Sequence, residues 1–204
     1  MDSAAKKYPE PKYQIIGGKI INMAPSAPNH GVVSFGLGYI FKSYFERKNC
    51  KKCRVYSESN YIRLDIIKKQ TDIKLPDGCD KDRYSPDIMV ICDRNIDTKD
   101  GVIGAPDLVI EVLSRSTEIY DMTIKKEVYE AIGVKEYWIV DYKRKSIEVY
   151  VLRDGRYYLK DMYHKYAQHE IDFAMDPEIV TEFSPVAFPD LTIKIDDVFE
   201  DLFE

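Results

Sequence analysis

Ser85-Pro86-Asp87-Ile88-Met89-Val90-Ile91 and, after a charged connection, Ala105-Pro106-Asp107-Leu108-Val109-Ile110-Glu111-Val112-Leu113-Ser114 decide how the rest of the chain reads. A helix-like segment with Asp121, Lys125 and Tyr129 follows. Gly133-Val134-Lys135-Glu136-Tyr137-Trp138-Ile139-Val140-Asp141 then closes the block. Asp87 opens the first apolar run and Glu111 sits inside the second. An ionised carboxylate in an apolar strand is costly to desolvate unless it is paired or binds a metal. Neighbouring strands lie about 4.8 Å apart, so two such carboxylates can converge on one hard cation. Mg²⁺ or Mn²⁺ suits this arrangement, with waters and substrate phosphate oxygens completing the shell. Such an ion acidifies a bound water and neutralises charge on a scissile phosphate.

Asp107 is a poor third ligand. It lies four residues before Glu111 on the same strand face, about 13 Å along a regular strand, and reads as a cap at the strand entry. Lys125 follows Asp121 by four residues, so the two can pair on one helix face. That pair reads either as a surface salt bridge or as a cation that steadies a phosphate.

Outward from this block the pattern is α+β: a central mixed sheet flanked by helices, with an N-terminal hairpin and a long helix before it. Residues 1–12, polar with Pro9 and Pro11, form a loose lead-in. Gly17-Gly18 between two β-rich runs is a hairpin turn. From His30 to Lys48, apolar residues recur at helical spacing. Short strands are expected at 54–56 and 60–64, and residues 65–84 read as polar connection with a Pro76-Asp77-Gly78 turn. Residues 93–104 read as a hairpin loop or flap. A helix spans 121–132 and stops at Gly133 in the position glycine favours. Strands follow at 137–140, 146–151 and 156–160, the last two joined by an Asp154-Gly155 turn, and an acidic helix covers 196–202. The whole 204-residue chain is expected to form one domain.

Hydrophobic content of 45% and charged content of 32% are those of a soluble globular protein. The net charge of −5 and isoelectric point near 5.4 argue against a general coating of nucleic acid, whose affinity rests on phosphate neutralisation. A local basic cluster, Lys42, Arg47, Lys48, Lys51, Lys52 and Arg54, could still meet a phosphate backbone, or could simply be a solvated helix end. No apolar run reaches membrane-span length and the N-terminus lacks a signal-peptide core, so the expected location is the cytoplasm. There, Cys50, Cys53, Cys79 and Cys92 are expected to be free thiols. Cys50-Lys51-Lys52-Cys53 lacks the second chelating pair of a structural zinc site.

The order Pro86-Asp87, Glu111-Val112-Leu113-Ser114-Arg115-Ser116-Thr117, Asp121, Lys125, Tyr129 and Gly133 through Asp141 closely resembles the Uma-two family. This is a large bacterial family described as candidate restriction endonucleases and placed in the PD-(D/E)xK nuclease superfamily. The resemblance covers most of the chain, from the hairpin near Tyr13 to Leu191–Phe199. It implies a restriction-endonuclease-like core and a DNA endonuclease in which Asp87 and Glu111 bind Mg²⁺ or Mn²⁺. The superfamily's lysine two residues after the second acid is absent, because Leu113 stands there. The family pattern places it on the following helix, at Lys125. His30 falls where the family carries a histidine, and it reads equally as a helix-start residue hydrogen-bonded locally. Gln14 stands where many members carry glutamate, which implies weaker metal binding if that acid takes part. Arg115 replaces a proline, and nothing functional follows from it.

Two other readings compete with the endonuclease. One is a weak or inactive nucleic-acid-binding accessory module of the same fold; the other is a hydrolase of smaller phosphoesters. Metal dependence separates the first from the endonuclease, and substrate length separates the second. A homodimer is the expected assembly for an enzyme that cuts both strands. The aromatic-rich strands at 146–163 are either its interface or an outer face of the core.

Overall fold

The computed structural model describes residues 13–22, 27–58, 60–166 and 179–203; the expected lead-in lies outside them. The chain begins with a hairpin of β1 (Tyr13–Ile16) and β2 (Lys19–Asn22). Gly17 and Gly18 make its turn with φ of 57° and 73°, as a primed two-residue turn requires. The long helix α1 runs Pro28–Arg47 and starts with Pro at its first position, where a missing N–H costs nothing. After β3 (Arg54–Tyr56) and β4 (Ile62–Arg63) comes α2 (Leu64–Gln70), in a stretch expected to be connection. Its two buried residues, Leu64 and Ile67, are too few to mark a helix by periodicity.

A 3₁₀ turn at Cys79–Lys81 leads into β5 (Arg83–Tyr84) and β6 (Ile88–Ile91). The charged connection contains a small hairpin, β7 (Asp97–Thr98) and β8 (Gly101–Val102), before β9 (Leu108–Val112). The expected helix at 121–132 starts earlier and is broken. Its parts are α3 (Glu118–Met122) and α4 (Ile124–Ile132), separated by Thr123 at φ −122° and ψ −98°. Gly133 closes α4 in the left-handed conformation at φ 89°. Strands β10 (Glu136–Asp141), β11 (Ser146–Arg153) and β12 (Arg156–His164) follow. The tail adds β13 (Glu182–Phe183), β14 (Ile193–Lys194) and α5 (Ile195–Phe199).

The central sheet has six strands in the order β12-β11-β10-β9-β6-β3. It is mixed: β9 and β10 run parallel, joined by the α3–α4 crossover, and the other pairs are antiparallel. Both faces are covered, which is why β6, β9 and β10 are almost continuously apolar. One face, with Ile88, Ile110, Trp138 and Val149, packs on α1 through Leu37 and Phe41 and on α5 through Val198. The other, with Met89, Val109, Tyr137 and Ile139, packs on α4 through Val128 and Tyr129, on α2, and on a second sheet. That second sheet has the order β2-β1-β5-β4-β8-β7. Among the described residues no helix is long and apolar enough to cross a membrane.

The cysteine expectation is corrected. Cys53 and Cys92 form a disulfide, with Cα atoms 4.0 Å apart, and only Cys50 and Cys79 are free. The cause is register: β3 pairs antiparallel with β6 with Arg54 opposite Ile91, so the next step brings Cys53 opposite Cys92.

Candidate active site

Asp87 and Glu111 meet because β6 and β9 are antiparallel neighbours. Ile88 stands opposite Ile110, and the register continues to Asp87 opposite Glu111. Asp87 is buried, and its Oδ2 accepts a 2.7 Å hydrogen bond from the backbone N–H of Val112. The same oxygen lies 3.2 Å from Nε2 of His30, which the first turn of α1 delivers from the other side of the sheet. Burial pulls the His30 pKa down, but the hydrogen bond and charge of Asp87 outweigh it and raise the pKa above the ordinary value.

Glu58, which the sequence did not single out, joins these two. One donor atom each from His30, Glu58 and Asp87 lies within 4.8 Å of the others. Glu58 follows β3 with φ 47°, a left-handed conformation that L residues seldom adopt and that tends to persist where function requires it. Nothing in Ser57-Glu58-Ser59-Asn60 marks it beforehand. An imidazole and two carboxylates form a donor set for a hard or borderline divalent ion. His30 also has a buried Nδ1 with no hydrogen-bond partner among the described residues.

Glu111 points to the opposite partner, α4. Its Oε1 accepts from Nζ of Lys125 at 3.0 Å and from the Tyr129 hydroxyl at 2.7 Å, two residues one helical turn apart. Lys125 also lies 2.7 Å from Oδ1 of Asp121, and Lys125, Glu111 and Asp121 are all about 1% exposed. The Asp121–Lys125 pair is therefore buried, which removes the surface-salt-bridge reading. One ammonium serves two carboxylates, so the ionised cluster carries an excess negative charge. Burial pushes Glu111 up, to about 8, and raises Asp121 as well, against the pull of Lys125. Lys125 is held above its ordinary value, because Asp121 and Glu111 outweigh the burial that would deprotonate it. The ammonium stays charged, and the surplus carboxylate charge is what gives way.

The segment after β9 holds Asp121 in place. Ser114 Oγ lies 2.8 Å from Thr117 Oγ1, which donates to Asp121 Oδ2 at 2.8 Å. The Tyr137 hydroxyl donates to the Asp121 carbonyl at 2.8 Å. Asp107 is remote from this cluster. It accepts from the Cys92 N–H at 2.8 Å and pairs with Lys135, the strand-entry role expected of it. Gln14 is buried, and its Oε1 accepts from the Ser85 N–H at 3.1 Å, so it braces the segment that carries Asp87.

A solved structure described as a "putative nuclease belonging to DUF820" from Anabaena variabilis superimposes with a TM-score of 0.65, over 94% of this chain and 92% of that one. At 19% identity this likeness defines the fold, an α+β architecture. The Uma2 family, described as "Putative restriction endonuclease", matches residues 2–176, and the chain belongs to it. An uncharacterized protein, slr1290, of Synechocystis sp. is 27% identical over 145 residues, 70% of this chain and 67% of that protein.

Proposed function

We propose that the protein is a divalent-metal-dependent DNA endonuclease whose catalytic residues are His30, Glu58, Asp87, Glu111 and Lys125. The observation that carries this reading is the placement of Asp87. It shares a donor cluster with His30 and Glu58, while its charge acts on the buried Glu111–Lys125–Asp121 network. A metal-binding half and a cationic half thus meet at one carboxylate.

His30, Glu58 and Asp87 would hold Mg²⁺ or Mn²⁺, with Glu111 next to them across the β6–β9 ladder. The bound ion supplies charge neutralisation at a phosphate and a water of lowered pKa. The protein's own residues do the rest. Asp87 is fixed by the Val112 N–H, so its orientation does not depend on the ligand. Lys125 donates to Glu111 and is ion-paired with Asp121, and its ammonium would steady an attacking water or a phosphate oxygen by a charge-assisted bond. Tyr129 donates to Glu111 and keeps that carboxylate aimed at Lys125. The closure of both faces of the sheet keeps these charges in a poorly screened environment, where a fixed cation is worth more than in water.

The test is to incubate circular DNA, double-stranded and single-stranded, with the protein in Mg²⁺, Mn²⁺ or chelator. Metal binding is followed by calorimetry. Wild type should bind the ion and cut, and Asp87→Ala should fold but do neither. Folded wild-type protein that cuts neither DNA form in either metal is an accessory module, and the endonuclease reading is then wrong.

A further inference from the structure

The exposed side of α1 carries features that the cleavage chemistry does not use. Phe35 and Tyr39 are 75% and 63% exposed, and their rings stack on one another at 6.4 Å with planes 13° apart. With Ser34, Gly38, Lys42 and Val55 they line a cavity of about 310 Å³ between α1 and β3. Ser34 is itself buried, and its Oγ has no hydrogen-bond partner among the described residues. Lys42 and Val55 also line a second cavity of about 540 Å³ with Lys51, Arg54, Arg94 and Glu46. Glu46 pairs with Lys42, and Asp97 pairs with Arg54 and Arg94, so four cations stand against two acids. In a chain of net charge −5 this is a local cationic excess.

The two cavities share Lys42 and Val55, and the first lies next to the donor cluster in sequence on both of its walls. His30, Ser34, Gly38 and Lys42 succeed one another at four-residue steps, so they share one face of α1 and span about 18 Å. On the opposite wall, Ser57 of the first cavity immediately precedes Glu58. The order along this track is therefore metal donors, a stacked aromatic pair, then cations.

We propose that this track binds single-stranded DNA, with bases stacked on Phe35 and Tyr39 and backbone phosphates at Lys42, Lys51, Arg54 and Arg94, leading an unpaired strand to the cleavage site. The proposal rests on the endonuclease reading for what happens at the donor end, but the binding stands on its own. Exposed aromatic platforms beside a cationic groove are how proteins hold unpaired strands, because every base has a face to stack. A duplex keeps its bases stacked inside and offers nothing to Phe35 and Tyr39. A second copy of this chain is a poor occupant, because a two-fold interface on this face would set the same cations against one another.

Binding is measured in chelator, by fluorescence anisotropy, with a short labelled oligodeoxynucleotide and with its duplex. Wild type should prefer the single strand by about tenfold or more, the scale of one or more stacked bases. Phe35→Ala/Tyr39→Ala should lose about that factor for the single strand, and Phe35→Tyr/Tyr39→Phe should keep it. Gly38→Leu is a second variant, at a position where an added Cβ meets nothing within 4 Å, and its folding is checked by circular dichroism. It fills the cavity and should also lose the single strand. Equal affinity for both DNA forms, or variants that bind like wild type, overturns the proposal. So does a dimer that dissociates in Phe35→Ala/Tyr39→Ala while DNA binding is unchanged. Metal-dependent cutting without a single-strand preference would sink this inference and leave the endonuclease reading intact. A single-strand preference without any cutting would do the reverse.

Discussion

Lys125 and Glu111 lie on different elements, 14 positions apart, and meet at 3.0 Å with both side chains almost wholly removed from solvent. Removing the cation alone leaves Glu111 and Asp121 buried without a counter-charge. Lys125→Met should therefore destabilise the fold by about 3–5 kcal/mol at neutral pH, by urea denaturation. The sign of its pH dependence follows from the acids. Burial already raises Glu111 from 4.5 to about 8, and loss of Lys125 raises it further. A group with a raised folded pKa loses stability as the pH climbs from its unfolded to its folded value. Wild type and variant lose it alike up to about 8, and the variant alone goes on losing it above that, so the penalty grows as the pH rises past about 8. A penalty independent of pH would mean that Glu111 and Asp121 are not the groups left unpaired.

Glu58 provides the sharpest test of the donor set. Glu58→Gln keeps the shape and removes one of two carboxylate charges from the cluster with His30. Mn²⁺ affinity should fall by about tenfold or more, since charge count tunes such sites. Stability in chelator should hold or rise slightly, because Asp87 loses a like-charged neighbour. Unchanged Mn²⁺ affinity in calorimetry would remove Glu58 from the site.

His30 makes metal-free stability depend on pH. Its folded pKa is raised above 6.5: burial opposes the charge, but the bond to Asp87 and the charges of Asp87, Glu58 and Glu111 prevail. The stabilisation is fully present below 6.5 and is lost as the pH rises through the folded value. In chelator, wild type should lose stability over that window relative to His30→Gln. Metal binding needs the neutral ring, so Mn²⁺ affinity should climb over the same window. Parallel curves for wild type and His30→Gln would contradict the assignment.

The Cys53–Cys92 bridge closes a sequence separation of 39 residues. On loop entropy, Cys53→Ser/Cys92→Ser should cost about 4 kcal/mol. Thiol titration of unfolded protein should find two reactive groups before reduction and four after it. Four before reduction would show that the bridge does not form.

Much of this arrangement was legible in the chain. Asp87 and Glu111 stood out because acids in apolar strands are conspicuous, and β6 and β9 are close enough in sequence to be paired on paper. Lys125 was visible through the family pattern, which supplies a lysine where Leu113 does not. The Gly17-Gly18 and Gly133 conformations follow from what glycine alone adopts easily. Glu58 and the disulfide were not legible, for one reason. Both depend on β3 docking beside β6, a pairing between strands separated by a small helix, a 3₁₀ turn and two other strands. No local pattern in Arg54-Val55-Tyr56 encodes its neighbour. The depth of the Asp121–Lys125 pair was hidden likewise, because four-residue spacing looks the same on a wet face and a dry one.

The parallel pairing of β9 with β10 through α3 and α4 has a consequence for the order of assembly. Glu111, Asp121, Lys125 and Tyr129 all belong to that single crossover, with bonds that reach back only 14 and 18 positions. The donor cluster joins the first turn of α1 to the start of β6 across 57 positions, with Glu58 from a third region. Closing short loops is faster than closing long ones, so the ammonium half forms early and the donor half last. A chain arrested between the two stages would be compact and ion-paired, yet inert.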